Sequence, residues 1–406
     1  MIYAGIDWSD KFHAICLVDD GGNKLDTFTI EHSQRGFDTV HQHILKRAGS
    51  AEAVQVAIET KDSLIVDFLC EQGYTLHFIN PKLTDRFRDR YRMSNSKDDN
   101  FDAFVLASAL RTDAALFNAL PPLDEQSLIV RVLTRTREGL IRRKVAVENE
   151  LTTYFKRYFP LALKLFGGID NAEAIAFLAI YPTYAQARTA SVTQIATILN
   201  KSGRSDNVAT KHAAAVHEKL KEQQPTPSRE VEKAYPLAVK PLLRQLDNIL
   251  SEIADLDKEI KKAYSDHPNK DLLDSLPGIA DKLGPVIGSE IGIDMSRFSS
   301  LKTLKAFAGT SPVTKQSGKY RKVCIRRACN SHLRRAFHLA AQGAIIKAGW
   351  ARELYDRLKS QGKSHGRALR AVADQQIEIL YAVLTRRTPY DEAYHLRMKT
   401  LHSPKI

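Results

Sequence analysis

The opening eighty residues constrain the fold more than any other stretch. MIYAGIDWS, HAICLVDD and KLDTFTIEH each read as a strand, and the short turns DK and GGN set them at hairpin distances. A helix follows over GFDTVHQHILKRA. VQVAIET then reads as a buried strand, DSLIVDFLCEQG as a helix ending on Gly73, and TLHFINP as a strand stopped by Pro81. Three antiparallel strands followed by helix, strand, helix, strand and helix leave few topologies open.

That order is the order of the ribonuclease H fold, in which acids on the first and fourth strands and on a late helix meet at one edge. The acids are present in that rhythm. Asp7 and Glu59 sit at the ends of strand-like runs, and Asp99 and Asp102 open the helical stretch SKDDNFDAFVLA. Their i, i+3 spacing lets both share one helix face. Four converging carboxylates repel one another unless cations lie between them. Two Mg²⁺ ions are the natural occupants, and phosphodiester chemistry is their usual work. The plainer reading is that these acids are helix caps and solvated strand ends. A sugar-kinase or actin-like ATPase also opens on such a strand, but it needs Gly-rich phosphate loops later, and no convincing one follows.

Composition narrows the partner. The formal net charge is +13, whereas 43% hydrophobic and 26% charged residues are ordinary for a globular chain. A basic excess of that size favours a polyanion. No apolar run approaches the ~18 residues of a membrane span, and the acidic start MIYAGIDWSD is unlike a signal peptide. The expectation is therefore a nucleic-acid partner, no membrane, and a cytoplasmic, nucleoid-associated location of prokaryotic type. Cys16, Cys70, Cys324 and Cys329 form no CxxC or Cys/His spacing, which fits a reducing compartment.

The middle of the chain is helical. Leu133, Leu140, Val147 and Tyr154 recur every seven residues. Leu242, Leu246, Ile249, Ile253, Leu256 and Ile260 make an a/d seam. The two arms pair with each other or with another chain. Residues 166–228 read as a helical insert closed by the polar linker KEQQPTPSRE. Arg131, Arg135, Arg137, Arg142, Arg143 and Lys144 on the first arm serve either a nucleic-acid backbone or acids of the second arm such as Asp255, Asp257 and Glu259.

LLDSLPGIADKLGPVIGSEIG follows, with the pattern of a helix-hairpin-helix that aims N–H groups at phosphates; plain helix packing is the alternative. Next comes an acid-free basic run holding Lys315, Lys319, Arg321, Lys322, Arg326, Arg327, Arg334 and Arg335, with Tyr320 available for stacking. Helices over roughly 331–348, 350–361 and 366–386 finish the chain. His13, His32 and His332 show no ligand spacing.

GIDWSDK, AIET, the K-x-D-x-x-DA step from Lys97 to Ala103, LPGIADKLGPVIGSEIG, Arg297-Phe298, AFAGTSPVTKQSGK and N-x-x-LRRA together resemble the insertion-sequence-110 transposases and the related Piv invertases. The match runs in order through both ends of the chain; the middle resembles the family only in being helical. The resemblance implies a RuvC-like DEDD domain and a C-terminal transposase domain with a nucleophilic serine. It puts the tetrad on Asp7, Glu59, Asp99 and Asp102 and the serine on Ser317, in a polar Ser-Gly step that by itself reads as a turn. Ser311 is the nearest competitor. It further implies DNA as substrate, a structured guide RNA from the element's own ends, and a homodimer assembling to a tetramer. Two positions depart from the pattern. Asp98 stands beside Asp99, so a metal face of Asp98 with Asp102 stays open, and Cys329 replaces a common Gly before the Asn.

The expected protein is multidomain α/β plus α. A RuvC-like ribonuclease H domain covers 1–115, a helical coiled-coil region with its insert covers 116–265, and a helical transposase domain covers 266–406. The expected activity is DNA cutting and rejoining through a serine–DNA intermediate with Mg²⁺. The alternatives are a structure-specific nuclease of the Holliday-junction resolvase type, using metal-activated water, and a non-catalytic nucleic-acid-binding protein.

Overall fold

The computed structural model describes residues 1–61, 63–91, 98–114, 117, 124–203, 205–279, 281–318 and 320–402, the last four by backbone alone. The chain forms two compact units, Met1–Asp124 and Glu125–Ile406. No helix among the described residues is long and apolar enough to cross a membrane.

The first unit runs β1 (Ile2–Trp8), β2 (Phe12–Asp19), β3 (Lys24–Glu31), α1 (Gln34–Ala48), β4 (Val54–Ile58), α2 (Leu64–Glu71), β5 (Thr75–Phe78), α3 (Pro81–Asp89) and α4 (Asp99–Asp113). Its described residues build a five-stranded sheet in the order β3-β2-β1-β4-β5. The first three strands are antiparallel, while β1, β4 and β5 run parallel. This arrangement is compatible with a ribonuclease H-like domain.

The period-2 alternation of the strands gives the sheet two unlike faces. Ile6, Ile15, Leu17, Val56 and Ile58 pack with Phe37, Val40 and Ile44 of α1 and Ile65 and Leu69 of α2. The opposite face carries small residues. Ala14 and Cys16 meet Ala103 and Ala107 of α4, and Ala57 packs with Leu106, Ala109 and Leu110. Gly5 completes this flat floor: a Cβ there would lie 1.9 Å from the Ala103 carbonyl oxygen and 2.5 Å from the Ala107 nitrogen. The helix backbone therefore rests directly on β1.

The second unit is built on α5 (Glu125–Tyr158) and α11 (Arg229–Tyr264). Each is about 50 Å long at ~1.5 Å per residue. They pair antiparallel within the chain, which resolves the two possibilities left by the heptads. Val147, Leu151 and Phe155 share a core with Val239, Leu243 and Leu246, while Val130 and Tyr264 at the other end join a second core. Arg137 binds Asp257 of the facing helix, Nε to Oδ1 at 2.6 Å. Between the arms, α6 (Ala162–Leu165), α7 (Ala172–Ile180), α8 (Tyr184–Arg188), α9 (Val192–Lys201) and α10 (Asp206–Lys219) pack on the first core.

The second core gathers α12 (Lys270–Asp274), α13 (Gly284–Ile291), α14 (Leu301–Phe307), α15 (Ser331–Lys347), α16 (Gly349–Ser360) and α17 (His365–Arg386), with α18 (Glu392–His402) last. The Pro277-Gly278-Ile279 turn packs against α15. A Cβ on Gly278 would meet the Ala340 carbonyl oxygen at 2.2 Å, and Gln376 Nε2 donates to the Pro277 carbonyl at 2.8 Å. Packing alone accounts for the residues of this turn.

A buried carboxylate ties three of these helices together. Glu290 of α13 is 2% exposed. Arg135 of α5 grips it with Nε and Nη2 at 2.7 and 2.9 Å, and Asn330 Nδ2 donates to it at 2.6 Å. Asn330 also caps α15, its Oδ1 accepting from the Leu333 N–H at 3.0 Å. Glu290→Ala strands the Arg135 charge, so a loss of about 3–5 kcal/mol is expected in a denaturant melt; an unchanged midpoint would refute the coupling.

Candidate functional site

The sheet register delivers the first two acids. Ile6 pairs with Ile58 across the parallel β1–β4 ladder, so the next step sets Asp7 beside Glu59. Side chains two apart share a face. Asp7 therefore lies on the Gly5 side and Glu59 on the Ala57 side, which is the face α4 covers. Asp102 precedes Ala103, the residue seated on Gly5, and is 4% exposed. Three predicted acids are thus carried toward one sheet edge by close backbone packing.

The other two acids sit differently. Asp99 is exposed in the first turn of α4. Asp98 is the N-cap, and its Oδ1 accepts from the Asn100 and Phe101 N–H groups at 3.2 and 3.4 Å. A clear capping role thus explains the acid beside Asp99. Lys97 of the same motif lies outside the described residues.

Sequence reading missed Arg88. Its Nε donates to Asp102 Oδ1 at 2.8 Å, and its Nη2 lies 2.7 Å from Oδ2. Its Nη1 also reaches Asp85 at 3.1 Å. The Asp102 bond, with the charges of Asp102, Asp85 and Glu59 outweighing a desolvation cost, holds the guanidinium above its ordinary range. Arg88 is therefore a cation in the field of Glu59 and Asp102, held by a bidentate pair.

Among the described residues no three His, Cys, Asp or Glu side chains are close enough to hold a metal ion. The donor set itself suits a hard divalent cation, being all carboxylate oxygen. Both Asp102 oxygens are engaged by Arg88, so a cation at Asp102 displaces that pair.

Ser317 stands elsewhere, and the loop expected around it is a β-hairpin. β6 (Val313–Ser317) pairs antiparallel with β7 (Tyr320–Cys324), and Ser317 opposite Tyr320 closes the ladder. The two-residue turn needs a left-handed residue, which Gly318 supplies at φ +54°. Lys319, its second residue, lies outside the described residues. Ser317 is exposed at the tip, and among the described residues no side chain hydrogen-bonds its hydroxyl. Serine in that setting is a weak nucleophile.

The hairpin has an unusual charge pattern. Lys315 faces Lys322, and Gln316 faces Arg321. Like charges directly opposite destabilise a ladder, and a lone two-stranded hairpin is marginal. An anion laid across these strands relieves the repulsion. The remaining predicted contacts are mixed. Arg327 is exposed. Arg326 Nε donates to the Ser311 carbonyl at 3.2 Å, and Arg334 Nη1 to the Arg326 carbonyl at 3.3 Å. Arg335 binds Glu138 at 2.9 Å, a carboxylate that also takes His332.

Comparison with known proteins agrees with this layout. Residues 4–160 match the DEDD transposase family of IS110, and residues 270–356 match the transposase IS116/IS110/IS902 family. A mini-circle protein of Streptomyces coelicolor named as a transposase for IS117 is 31% identical over 399 residues, 96% of this chain and 95% of its own. The 44.8 kDa protein of insertion element IS116 of Streptomyces clavuligerus is 27% identical over 94% of both chains. The 42 kDa protein of IS900 of Mycobacterium paratuberculosis is 24% identical, covering 97% of this chain and 98% of its own. The chain belongs to the IS110/IS116 family of transposases, enzymes that cut and join DNA.

Proposed function

We propose that the chain transposes DNA through a covalent serine intermediate. The observation that carries the reading is the seating of α4 on Gly5, which brings Asp102 to the edge where Asp7 and Glu59 end their strands. Asp7, Glu59, Asp99 and Asp102 would hold Mg²⁺, which when bound supplies positive charge to a phosphate in displacement.

Ser317 attacks a DNA phosphate. The Oγ–phosphorus bond forms, the bond to the 3′ oxygen breaks, and that oxygen leaves as a 3′-hydroxyl while the serine gives up its proton. A different 3′-hydroxyl then attacks the phosphoserine, rejoins the backbone and restores the serine. One phosphoester replaces another at each step, so no outside energy is needed. The isolated hydroxyl of Ser317 keeps the free protein inert until DNA is in place. Lys315, Lys319, Arg321, Lys322, Arg326, Arg327, Arg334 and Arg335 would bear the strand. A structured RNA from the element's ends would join donor to target, in a dimer that pairs to a tetramer; the +13 charge suits such a load.

Strand cleavage on element-end DNA tests the reading. Ser317→Ala is expected to lose cleavage and joining by at least ~10³-fold, the scale of a lost nucleophile, with binding retained. Cleavage persisting in Ser317→Ala with hydrolysed ends would instead make the protein a nuclease of the resolvase type.

Arg88 offers a separate check. Removing one charge at ~4 Å, worth about 4 kcal/mol at an effective dielectric of ~20, should let the acids bind a cation at least tenfold more tightly. Mn²⁺ titration of Arg88→Gln by electron paramagnetic resonance reads this; weaker binding would contradict it.

A further inference from the structure

At the base of the serine hairpin lies a cavity of about 290 Å³. Its walls combine β7, the Gly309–Pro312 turn and one face of α17. Pro312, Val323 and Ile325 make it apolar, while Arg326, Arg367 and Arg370 rim it. Asp374, its carboxylate, is already taken by Lys305 at 2.8 Å and by the Thr310 hydroxyl at 2.9 Å. Among the described residues none of the three arginines is paired with an acid.

Positive potential accumulates beside it. His338 on α15 is pushed below its ordinary value, first by burial and then by the charges of Arg370, Arg334 and His365. The volume is at the lower end of the roughly 300–1,000 Å³ that holds small ligands. That is room for one flat ring and its phosphate, not for a duplex. Val323 lies three residues along β7 from Tyr320, the partner of Ser317, so the cavity opens about 10 Å from the serine at ~3.3 Å per residue.

We propose that this cavity receives one unstacked nucleotide of a single strand, with its phosphate on Arg367 and Arg370 and its base against Pro312, Val323 and Ile325. Guanidinium groups and apolar walls stack any base without reading sequence, so the site would hold a displaced strand a short way from the phosphate that Ser317 attacks. The inference rests on the recombinase reading but concerns binding alone, so it is tested without cleavage.

The probe is a fluorescent 12-mer, as single-stranded DNA, as RNA and as duplex DNA, titrated onto the full chain across a salt series. The Arg367→Gln/Arg370→Gln variant should bind one or both single strands at least tenfold more weakly. Its salt slope should fall by about 1.4, at ~0.7 per lost phosphate contact on a single strand. Duplex affinity should change much less. The DNA and RNA arms show which strand is the occupant. Val323→Asp, which spoils the apolar wall at an exposed position, should weaken the same strands about tenfold, the worth of one stacked base. Melting curves confirm that both variants are folded. Unchanged single-strand binding in either folded variant, or an equal loss on duplex, would overturn the site. Loss of cleavage in Ser317→Ala alongside unchanged oligonucleotide binding here would leave the recombinase reading standing and remove only the pocket.

Discussion

Asp7→Asn should cut element-end DNA about a thousandfold more slowly than the parent while melting at nearly the same temperature. The substitution keeps shape and hydrogen-bonding capacity at a half-buried strand end and removes one negative charge. If Asp7 helps hold a cation that stabilises the phosphate in displacement, the loss is several kcal/mol of transition-state stabilisation. About 4 kcal/mol corresponds to ~10³ in rate at ~1.36 kcal/mol per decade. Single-turnover cleavage across a Mg²⁺ series measures it. A variant that recovers the parent rate at high Mg²⁺ identifies Asp7 as a contributor to affinity; a variant equal to the parent at every concentration would remove Asp7 from the site.

Gly5→Ala should do more harm than its single methyl suggests. The added Cβ meets the Ala103 carbonyl oxygen at 1.9 Å and the Ala107 nitrogen at 2.5 Å. Both are backbone atoms in the middle of a helix, so no rotamer change relieves the clash. α4 must lift or β1 must bend. Overpacking of this kind costs about 1–3 kcal/mol and occasionally more. The helix that lifts is the one bearing Asp102, so cleavage should fall at least tenfold beyond what stability explains. Gly349→Ala is the control, because a Cβ there meets nothing within 4 Å, and it should stay within about 0.5 kcal/mol of the parent. Equal melting temperatures and equal cleavage for Gly5→Ala would mean that α4 does not depend on this contact.

The fold of the first unit was legible because its strands alternate and its turns are punctuated. Ile6, Ile15 and Val56 mark one face of the sheet, and the helix and strand order follows from Gly73 and Pro81. The acids were legible because each ends or opens an element. Arg88 was not, since its partner Asp102 lies across a tertiary contact that no local spacing encodes. The β6–β7 hairpin escaped for a different reason. Its side chains from Thr314 to Val323 face solvent where described, so the apolar alternation that normally reveals a strand is absent. The surviving signal was Gly318 between two runs containing Val and Thr. The heptads revealed a seam but not its partner, because an a/d pattern is the same for a neighbouring arm and for another chain. The Arg137–Asp257 pair within the second unit is what distinguishes them. Glu290 was unremarkable in GSEIG, as burial of a carboxylate is invisible until Arg135 and Asn330 are seen around it.

The most direct measurement is a search for the covalent intermediate. The full chain is incubated with Mg²⁺, element-end DNA and RNA transcribed from the element's flanks, denatured, digested and analysed by mass spectrometry. The account predicts a nucleotide phosphate on the peptide containing Ser317, absent from Ser317→Ala and from Asp102→Ala. Cleaved DNA with no adduct on any serine, formed equally well by Ser317→Ala, would contradict it.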